Sequence, residues 1–492
     1  MKQFTTRALM ASALALSAGI ATAQQTGITV AMQLEPPHLD PTSAAAGAID
    51  SVLYSNVFEG LTRFMGDGSV VPGLAESWEI SDDGLTYTFK LHDGVTFHDG
   101  TTMDAEDVKF SLDRINAEDS ANAQKALYAA ISEVNVIDPL TVEVKLSEPN
   151  GNMLFNLAWG DAVIVAPESI DNIKQTPVGT GAFKFDSWTQ GDKIDISRNP
   201  DYWGEPAKLE TATFKFISDP TAAFASVMAE DVDVFISFPA PENIPQFEAD
   251  PRFQVLVGST EGETILSTNN TRPPFDNVKV REAVAHAIDR QAIIDGAMFG
   301  FGTPIGTHFA PHNPAYVDLT GMSDYDPEKA KALLAEAGFA DGFETTLHLP
   351  PPSYARRGGE IIAAQLAEVG IKAEITNVEW AQWLETVFKG DFGLSIVSHT
   401  EPMDIGVYAN PEYYFQYDNA DFQALITKLN TTTDPTERDQ LLGDAQRMIS
   451  EDYVNGYLFQ LATLTVAKAG VQGLWENAPT QATDLTAVGW AE

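Results

Sequence analysis

Strand-like and helix-like hydrophobic patterns alternate along almost the whole length of this 492-residue chain. Residues 85–91 and 141–146 alternate apolar and polar side chains, as half-buried strands do. Between them, Asp104 stands before apolar residues at helical spacing, and Asp326 followed by Pro327 is typical of another helix start. This pattern predicts an α/β fold, and the chain is long enough for two or three folding units.

The first residues have the features of a secretion signal. Lys2 and Arg7 precede and border an apolar run over residues 8–16, and small residues follow that end in Ala-Thr-Ala. This order predicts a signal peptide over residues 1–23 and a mature chain that begins near Gln24. The apolar run is too short to anchor the chain in a bilayer. We therefore expect an exported protein, located in the periplasm.

Charge and cysteine usage restrict the partners of the chain. Lys and Arg number 29 against 70 Asp and Glu, so the formal net charge is −41. Such a field repels nucleic acid and anionic lipid, and it favours cationic partners. A saline habitat would also favour this acidity. The chain has no cysteine, which excludes disulfides and a lipid-acceptor cysteine after the signal.

Local catalytic and metal-binding motifs are missing from the sequence. No G-x-x-x-x-G-K-[ST] phosphate loop occurs, and the serine of residues 258–262 (GSTEG) stands one place too early for a nucleophile elbow. His308 and His312 are four residues apart, but Pro311 lies between them. We expect no cofactor and no metal site. A hydrolase whose groups converge from distant segments remains an alternative.

A series of motifs runs through the chain in a fixed order. They are VPGLAESWE at 71–79, FHDGTTMDAEDV at 97–108, TGAF at 180–183, RNPDYW at 198–203, FDNVKVREA at 275–283, AIDR at 287–290 and YDPEKA at 325–330. Together they strongly resemble the extracellular solute-binding proteins of the dipeptide, oligopeptide and nickel class, family 5, which serve ABC importers. The resemblance covers essentially the whole mature chain.

The resemblance implies a two-lobed periplasmic-binding-protein fold with a hinge and an inserted subdomain. By analogy, lobe I takes residues 24–60, 178–265 and 467–492, the inserted subdomain takes 61–177, and lobe II takes 266–466. Lobe closure around a small polar solute is the expected mechanism, followed by delivery to permease subunits in the inner membrane. Separate subunits would hydrolyse ATP. We expect a monomer that is not an enzyme.

The resemblance also suggests where the solute binds. In peptide-binding relatives, a carboxylate in a W-x-x-D-like stretch after a strand of the second lobe meets the peptide ammonium. The strand here is residues 392–397, so Glu401 falls on the carboxylate and Ser398 on the tryptophan. Both are departures from the family pattern. A peptide is therefore the leading expectation, with an oligosaccharide, an opine-like conjugate or a metal chelate as alternatives.

Other candidate ligand contacts lie near Glu401 or after the first strand. A desolvated cation needs an opposing charge, and aromatic rings can hold a cation or stack on a sugar. Solvated loops and core packing are the competing interpretations for the same residues. The further candidates are Asp404, His399, Tyr408, Trp380, Trp383, Glu35 and His38.

Overall fold

The computed structural model describes residues 25–43, 46–401 and 403–491, so the predicted signal peptide lies outside the described residues. The strands are β1 Gly27–Met32, β2 Thr62–Phe64, β3 Val70–Pro72, β4 Ala75–Ile80, β5 Thr86–Leu91, β6 Ile131–Asp138, β7 Thr141–Leu146, β8 Phe183–Thr189, β9 Lys193–Arg198, β10 Thr211–Phe216, β11 Val234–Phe235, β12 Phe253–Thr268, β13 Thr303–Pro304, β14 Phe343–Leu349, β15 Ile371–Asn377, β16 Leu394–His399, β17 Asn455–Lys468, β18 Val471–Gln472 and β19 Gly489–Trp490.

Helices occupy the segments between the strands. The α-helices are α1 Gly47–Leu53, α2 Ala105–Asn116, α3 Met153–Asn156, α4 Pro220–Met228, α5 Ile244–Glu248, α6 Val278–His286, α7 Arg290–Met298, α8 Pro327–Glu336, α9 Ser353–Glu368, α10 Trp380–Glu385, α11 Ala420–Thr431 and α12 Pro435–Glu451. Short 3-10 helices include Gly160–Ala162 and Asp404–Ala409. Among the described residues, none of the helices combines the length and the apolar character that a bilayer span requires.

The local sequence patterns correspond to observed elements. In β5 the interior side chains Tyr87, Phe89 and Leu91 are buried, as alternation predicts. At the start of α2, Asp104 accepts a hydrogen bond from the Glu106 backbone N–H at 2.8 Å and forms a capping box. These elements were predicted because their signals are local to a few residues.

Two long strands run through the middle of the main sheet. Its eleven strands, counted over the described residues, have the order β15-β14-β16-β12-β17-β11-β1-β10-β9-β8, and β13 pairs with β17 at the side. β12 and β17 are antiparallel neighbours that pair with β16 on one side and with β11 on the other. In this order β14 to β16 lie on one side of the β12–β17 pair, and β11, β1, β10, β9 and β8 lie on the other, so β12 and β17 join the two halves of the sheet.

The predicted insertion contains a sheet and a core of its own. Its strands have the order β4-β5-β7-β6, α2 packs on them, and a separate cluster of buried residues runs from Leu61 to Ala166. Glu59 precedes this unit in the chain, and its carboxylate accepts hydrogen bonds from Thr180 Oγ1 at 2.8 Å and Trp203 Nε1 at 2.9 Å. The residue boundaries assigned to the domains remain predictions.

Candidate ligand-binding site

A cavity of about 530 Å³ lies beside the middle of β12 and β17. Its walls come from segments that are far apart in the sequence, including α1, the β12 strand, the turn after β16, and the chain between β18 and β19. The lining residues are Gly47, Asp50, Ser51, Gln124, Trp159, Asp161, Ile236, Ser237, Thr260, Glu261, Gly262, Thr400, Glu401, Thr463, Thr465, Leu474, Trp475, Glu476, Asn477, Ala478, Pro479, Thr480, Gln481, Ala482, Thr483 and Asp484.

A bulge in β12 forms the floor of the cavity. The pairing with β17 shifts between Ser259 and Glu263, so three residues of β12 oppose one residue of β17. Thr260 Oγ1 holds the bulge by accepting from the Gly262 backbone N–H at 3.0 Å. A side chain at Gly262 would begin 2.8 Å from Leu461 Cδ1, so glycine gives close packing between the bulge and Leu461. Thr260, Glu261 and Gly262 therefore have no ladder partner on β17, and all three line the cavity.

The segment over residues 474–484 forms a second wall. The Ala478 backbone N–H donates to the Ser259 carbonyl at 2.8 Å, and Thr260 forms an isolated parallel bridge with Ala478. Gly258 permits this approach, because a Cβ there would lie 1.7 Å from the Glu476 carbonyl oxygen. The wall is thus bound directly to the connecting strand β12.

The charges around the cavity are of one sign. Six carboxylates line it, and within the described part of the chain no lysine, arginine or histidine does. Two of the six have partners behind the wall. Asp484 pairs with Arg63, and Glu261 Oε1 lies 2.6 Å from His312 Nε2. Burial raises the pKa of Glu261, and His312 opposes that shift. A cavity with this lining suits a cationic group, since buried negative charge needs a compensating positive one.

Glu401 is the predicted site residue that lines this cavity. It follows β16, is exposed, and its Oε2 accepts a hydrogen bond from the Thr400 backbone N–H at 3.1 Å. The other seven predicted contacts are absent from the cavity lining among the described residues. Ser398, which takes the place of the family tryptophan, has a buried hydroxyl without a hydrogen-bond partner.

Asp404, His399 and Tyr408 belong to a buried network behind Glu401. Asp404 Oδ1 lies 2.8 Å from His308 Nε2, and its Oδ2 lies 3.1 Å from His399 Nδ1. Two phenol groups extend the network, because the Tyr408 hydroxyl lies 3.1 Å from His308 Nδ1 and the Tyr414 hydroxyl lies 3.0 Å from His399 Nε2. The polar side-chain groups of Asp404, His399 and Tyr408 therefore bond to other protein side chains.

Burial and hydrogen bonding define the charge states of this network. Burial opposes ionisation of Asp404, but the hydrogen bonds and charge of His308 and His399 outweigh it, and the pKa of Asp404 falls well below its ordinary value. Burial lowers the pKa of His308, and the charge of Asp404 opposes that shift. The network is a carboxylate held between two imidazoles.

The same three residues could geometrically hold a metal ion. His308, His399 and Asp404 each present one ligand atom, and these atoms lie within 4.8 Å of one another. Each of these atoms already has a hydrogen-bond partner inside the network. The hydrogen bonds therefore account for the cluster without an ion.

The remaining predicted contacts lie in other places. Trp383 is buried and donates from Nε1 to Ser395 Oγ at 3.0 Å, whereas Trp380 is exposed. Glu35 Oε1 accepts from Trp188 Nε1 at 2.9 Å, and His38 lines a separate surface depression of about 390 Å³ next to Trp188. The structure does not bring these four residues together with Glu401.

A serine, a histidine and a carboxylate are in contact beside the cavity. Ser259 Oγ lies 2.6 Å from His312 Nδ1, and His312 Nε2 lies 2.6 Å from Glu261 Oε1. This order resembles a hydrolytic triad. However, Ser259 borders the β12 bulge and is not among the described residues that line the cavity, and its hydroxyl also donates to Asn477 Oδ1 at 3.3 Å.

Several lining residues escaped the sequence analysis. Asp50, Asp161 and the segment over residues 474–484 carry no motif, and they meet only through the tertiary fold. Glu261 belongs to the GSTEG stretch, which the sequence analysis considered only as a nucleophile elbow and rejected. Its two glycines were the available signal, since glycine inside a strand pattern indicates a bulge or a close backbone approach.

Two lobes joined by paired strands, with an acidic cavity beside those strands, define a protein that binds small solutes. Comparison with known proteins agrees with this class. Residues 69–422 match the family model for bacterial extracellular solute-binding proteins, family 5, middle region. The chain belongs to this family. It is thus a solute-binding receptor of an ABC importer, which confirms the fold and the function that the motifs predicted.

Individual relatives support the same assignment over the full length. The glutathione-binding protein GsiB of Salmonella paratyphi A is 31% identical over 481 residues, which cover 91% of this chain and 92% of the relative. The structure of HbpA2 from Haemophilus parasuis has a TM-score of 0.88 at 28% identity and covers 95% of this chain and 100% of its own. The periplasmic binding protein DppA from Helicobacter pylori, in complex with the peptide STSA, has a TM-score of 0.74 at 25% identity, with coverage of 95% and 99%.

Proposed function

We propose that this receptor captures an amine-bearing solute, with a short peptide as the leading class, and that Glu401 meets its ammonium group. One observation carries the proposal: six carboxylates line the cavity, and no lysine, arginine or histidine of the described residues does. The receptor would act in the periplasm as a monomer, without catalysis, and pass the solute to permease subunits in the inner membrane. The relative that is crystallised with the peptide STSA supports a peptide ligand.

Glutathione itself fits this cavity less well than a neutral or cationic peptide. At neutral pH glutathione carries two carboxylates and one ammonium group, so it is a net anion. Its two carboxylates would need positive partners, and none of the described lining residues has a cationic side chain. The glutathione-binding relative shares 31% of its residues with this chain, which leaves room for a different cavity lining. We therefore expect glutathione to bind more weakly than a dipeptide such as Ala-Ala.

The test of Glu401 uses calorimetry with Ala-Ala and with N-acetyl-Ala-Ala, which lacks the ammonium charge. Wild-type protein should bind the free dipeptide and should bind the acetylated form at least about tenfold more weakly. Glu401→Gln should weaken binding of the free dipeptide by about 2–5 kcal/mol, the range for a charge pair that closure buries. Glu412→Gln removes an exposed carboxylate outside the cavity and serves as the matched control.

The outcomes separate the alternatives. Equal affinity of wild type and Glu401→Gln for the dipeptide would refute the role of Glu401. If neither dipeptide binds, mass spectrometry of solute that copurifies with the native protein would distinguish an oligosaccharide, an opine-like conjugate and a metal chelate. Turnover of a bound solute that depends on Ser259 would instead support the hydrolase alternative.

A further inference from the structure

Two carboxylates of the cavity lining, Asp50 and Asp161, come from elements other than the turn that carries Glu401. Asp50 lies in α1 of the first lobe, and Asp161 lies in the 3-10 helix Gly160–Ala162 of the inserted unit. The carboxylate of Asp50 lies against Gly160, where a Cβ would be 2.4 Å from Asp50 Oδ1. Glycine at this position lets the two acidic side chains approach each other from separate units.

Each carboxylate has one buried oxygen without a hydrogen-bond partner among the described residues, although Asp161 also accepts backbone hydrogen bonds, one of them from Gln124. Asp161 is only 5% exposed, and its Oδ1 has no hydrogen-bond partner. Asp50 Oδ1 is also buried without a partner. A buried carboxylate oxygen is normally hydrogen-bonded or paired, because desolvating it alone is unfavourable. Two such oxygens at one cavity wall indicate that the missing partner comes from outside the chain.

The surroundings show what kind of partner this is. Burial raises the pKa of Asp161 to about 7, and burial together with the charge of Asp161 raises the pKa of Asp50 well above its ordinary value. A positive charge between them would relieve both effects, whereas an anion or an apolar group would not. The described lining residues include no lysine or arginine that could supply it.

We propose that Asp50 and Asp161 form a second cation subsite, which receives an ammonium or guanidinium group at the other end of the solute. The preferred solute then carries two separated positive groups, as a peptide with a lysine side chain or a diamine does. This inference rests on the proposed function, in which Glu401 holds the first amine. A solute held at both ends would contact both lobes and stabilise the closed form.

The experiment compares solutes that differ by one charge. Calorimetry is carried out with Ala-Lys and with Ala-Lys acetylated on the side-chain nitrogen, and in parallel with 1,5-diaminopentane and pentylamine. Wild-type protein should bind the doubly cationic member of each pair at least about tenfold more tightly. Asp50→Asn combined with Asp161→Asn should abolish this preference, while Glu401→Gln should weaken both members of the peptide pair and leave their ratio unchanged.

Glu412→Gln is the matched control for the double variant. Glu412 is exposed and is not among the residues that line the cavity, so its loss should change the preference by less than about threefold. Circular dichroism and thermal unfolding would verify that each variant is folded. The single Asp161→Asn variant keeps the test available if the double variant does not fold.

Each outcome decides one of the two proposals. A preference for the doubly cationic solutes that survives in the Asn variants, or no preference in wild type, overturns the second subsite. If the peptides fail to bind but the diamine binds through Asp161, the peptide proposal fails and the subsite stands. If no amine binds at all, both fail. Competition by Ca²⁺ at the two carboxylates, with no effect of the second amine, would replace the subsite by a metal site.

Discussion

Removing the carboxylate of Asp404 tests whether this residue supports the fold or the ligand. The perturbation is Asp404→Ala, which leaves His308 and His399 in place but without their shared acceptor. Both imidazoles are buried. His308 Nε2 lies 2.8 Å from Asp404 Oδ1, and His399 Nδ1 lies 3.1 Å from Asp404 Oδ2. The tyrosine hydroxyls at the far nitrogens remain, so the change is confined to the centre of the network.

The size of the effect follows from these contacts. A hydrogen bond to a charged group contributes about 1.5–3 kcal/mol, and removing one partner of a buried pair costs about 3–5 kcal/mol. The two lost bonds therefore lower the free energy of unfolding by about 3–5 kcal/mol at pH 7.5. The control Glu412→Ala removes an exposed side chain and should change the unfolding free energy by less than about 0.5 kcal/mol.

Urea unfolding followed by tryptophan fluorescence measures both variants. The folded pKa of Asp404 lies below its unfolded value, so its stabilisation is present above about pH 4 and is lost as the pH falls through the folded pKa. The difference between wild type and Asp404→Ala should shrink only below about pH 4. Dipeptide affinity of the folded variant should stay within about threefold, because Asp404 does not line the cavity. A loss below about 1 kcal/mol at pH 7.5, or a large loss of affinity without destabilisation, would refute this reasoning.

Three further variants test other parts of the structure. Glu59→Ala should lower the unfolding free energy by about 3–5 kcal/mol in a urea titration, because several buried donors lose one acceptor. Asp161→Asn should be about 2–4 kcal/mol more stable than wild type at pH 8. That difference should vanish below about pH 4, because a raised folded pKa means that wild type loses stability as the pH rises from about 4 to 7. Gly258→Ala should destabilise by about 1–3 kcal/mol and weaken solute binding, because its Cβ would push the Glu476 backbone away. Unchanged urea midpoints, or unchanged affinity in the last case, would contradict these expectations.

Local elements were predictable because their causes lie within a few residues. Asp104 and Asp326 both cap the helices that follow them, and the alternation over residues 86–91 corresponds to a strand. The ordered motifs predicted the family and with it the two-lobed fold. One of these motif residues, Arg281, donates to the carbonyls of Asp452 and Tyr453, so a residue that marks the family also fastens α6 to the chain before β17.

The site was predictable only in part. Glu401 was placed by analogy and lines the cavity, whereas its neighbour Asp404 lies in the hydrogen-bond network behind it. The two residues are three positions apart in a turn. Because a turn has no regular periodicity, the sequence pattern does not predict which of the two faces the cavity. Glu35 was expected near the ligand because it follows the first strand. Instead, its carboxylate lies at another surface and accepts hydrogen bonds from the Trp188 indole and the Gly191 backbone N–H.

The sequence by itself determined the secondary-structure elements, the acidic charge and the family, since these depend on residue order and composition. Only the tertiary structure decided the cavity, because α1, the 3-10 helix Gly160–Ala162, the β12 bulge and residues 474–484 meet there across hundreds of residues. Burial of Asp50 and Asp161 was equally invisible in the sequence. Whether a carboxylate is solvated or desolvated depends on what packs around it, and that packing is a property of the folded chain.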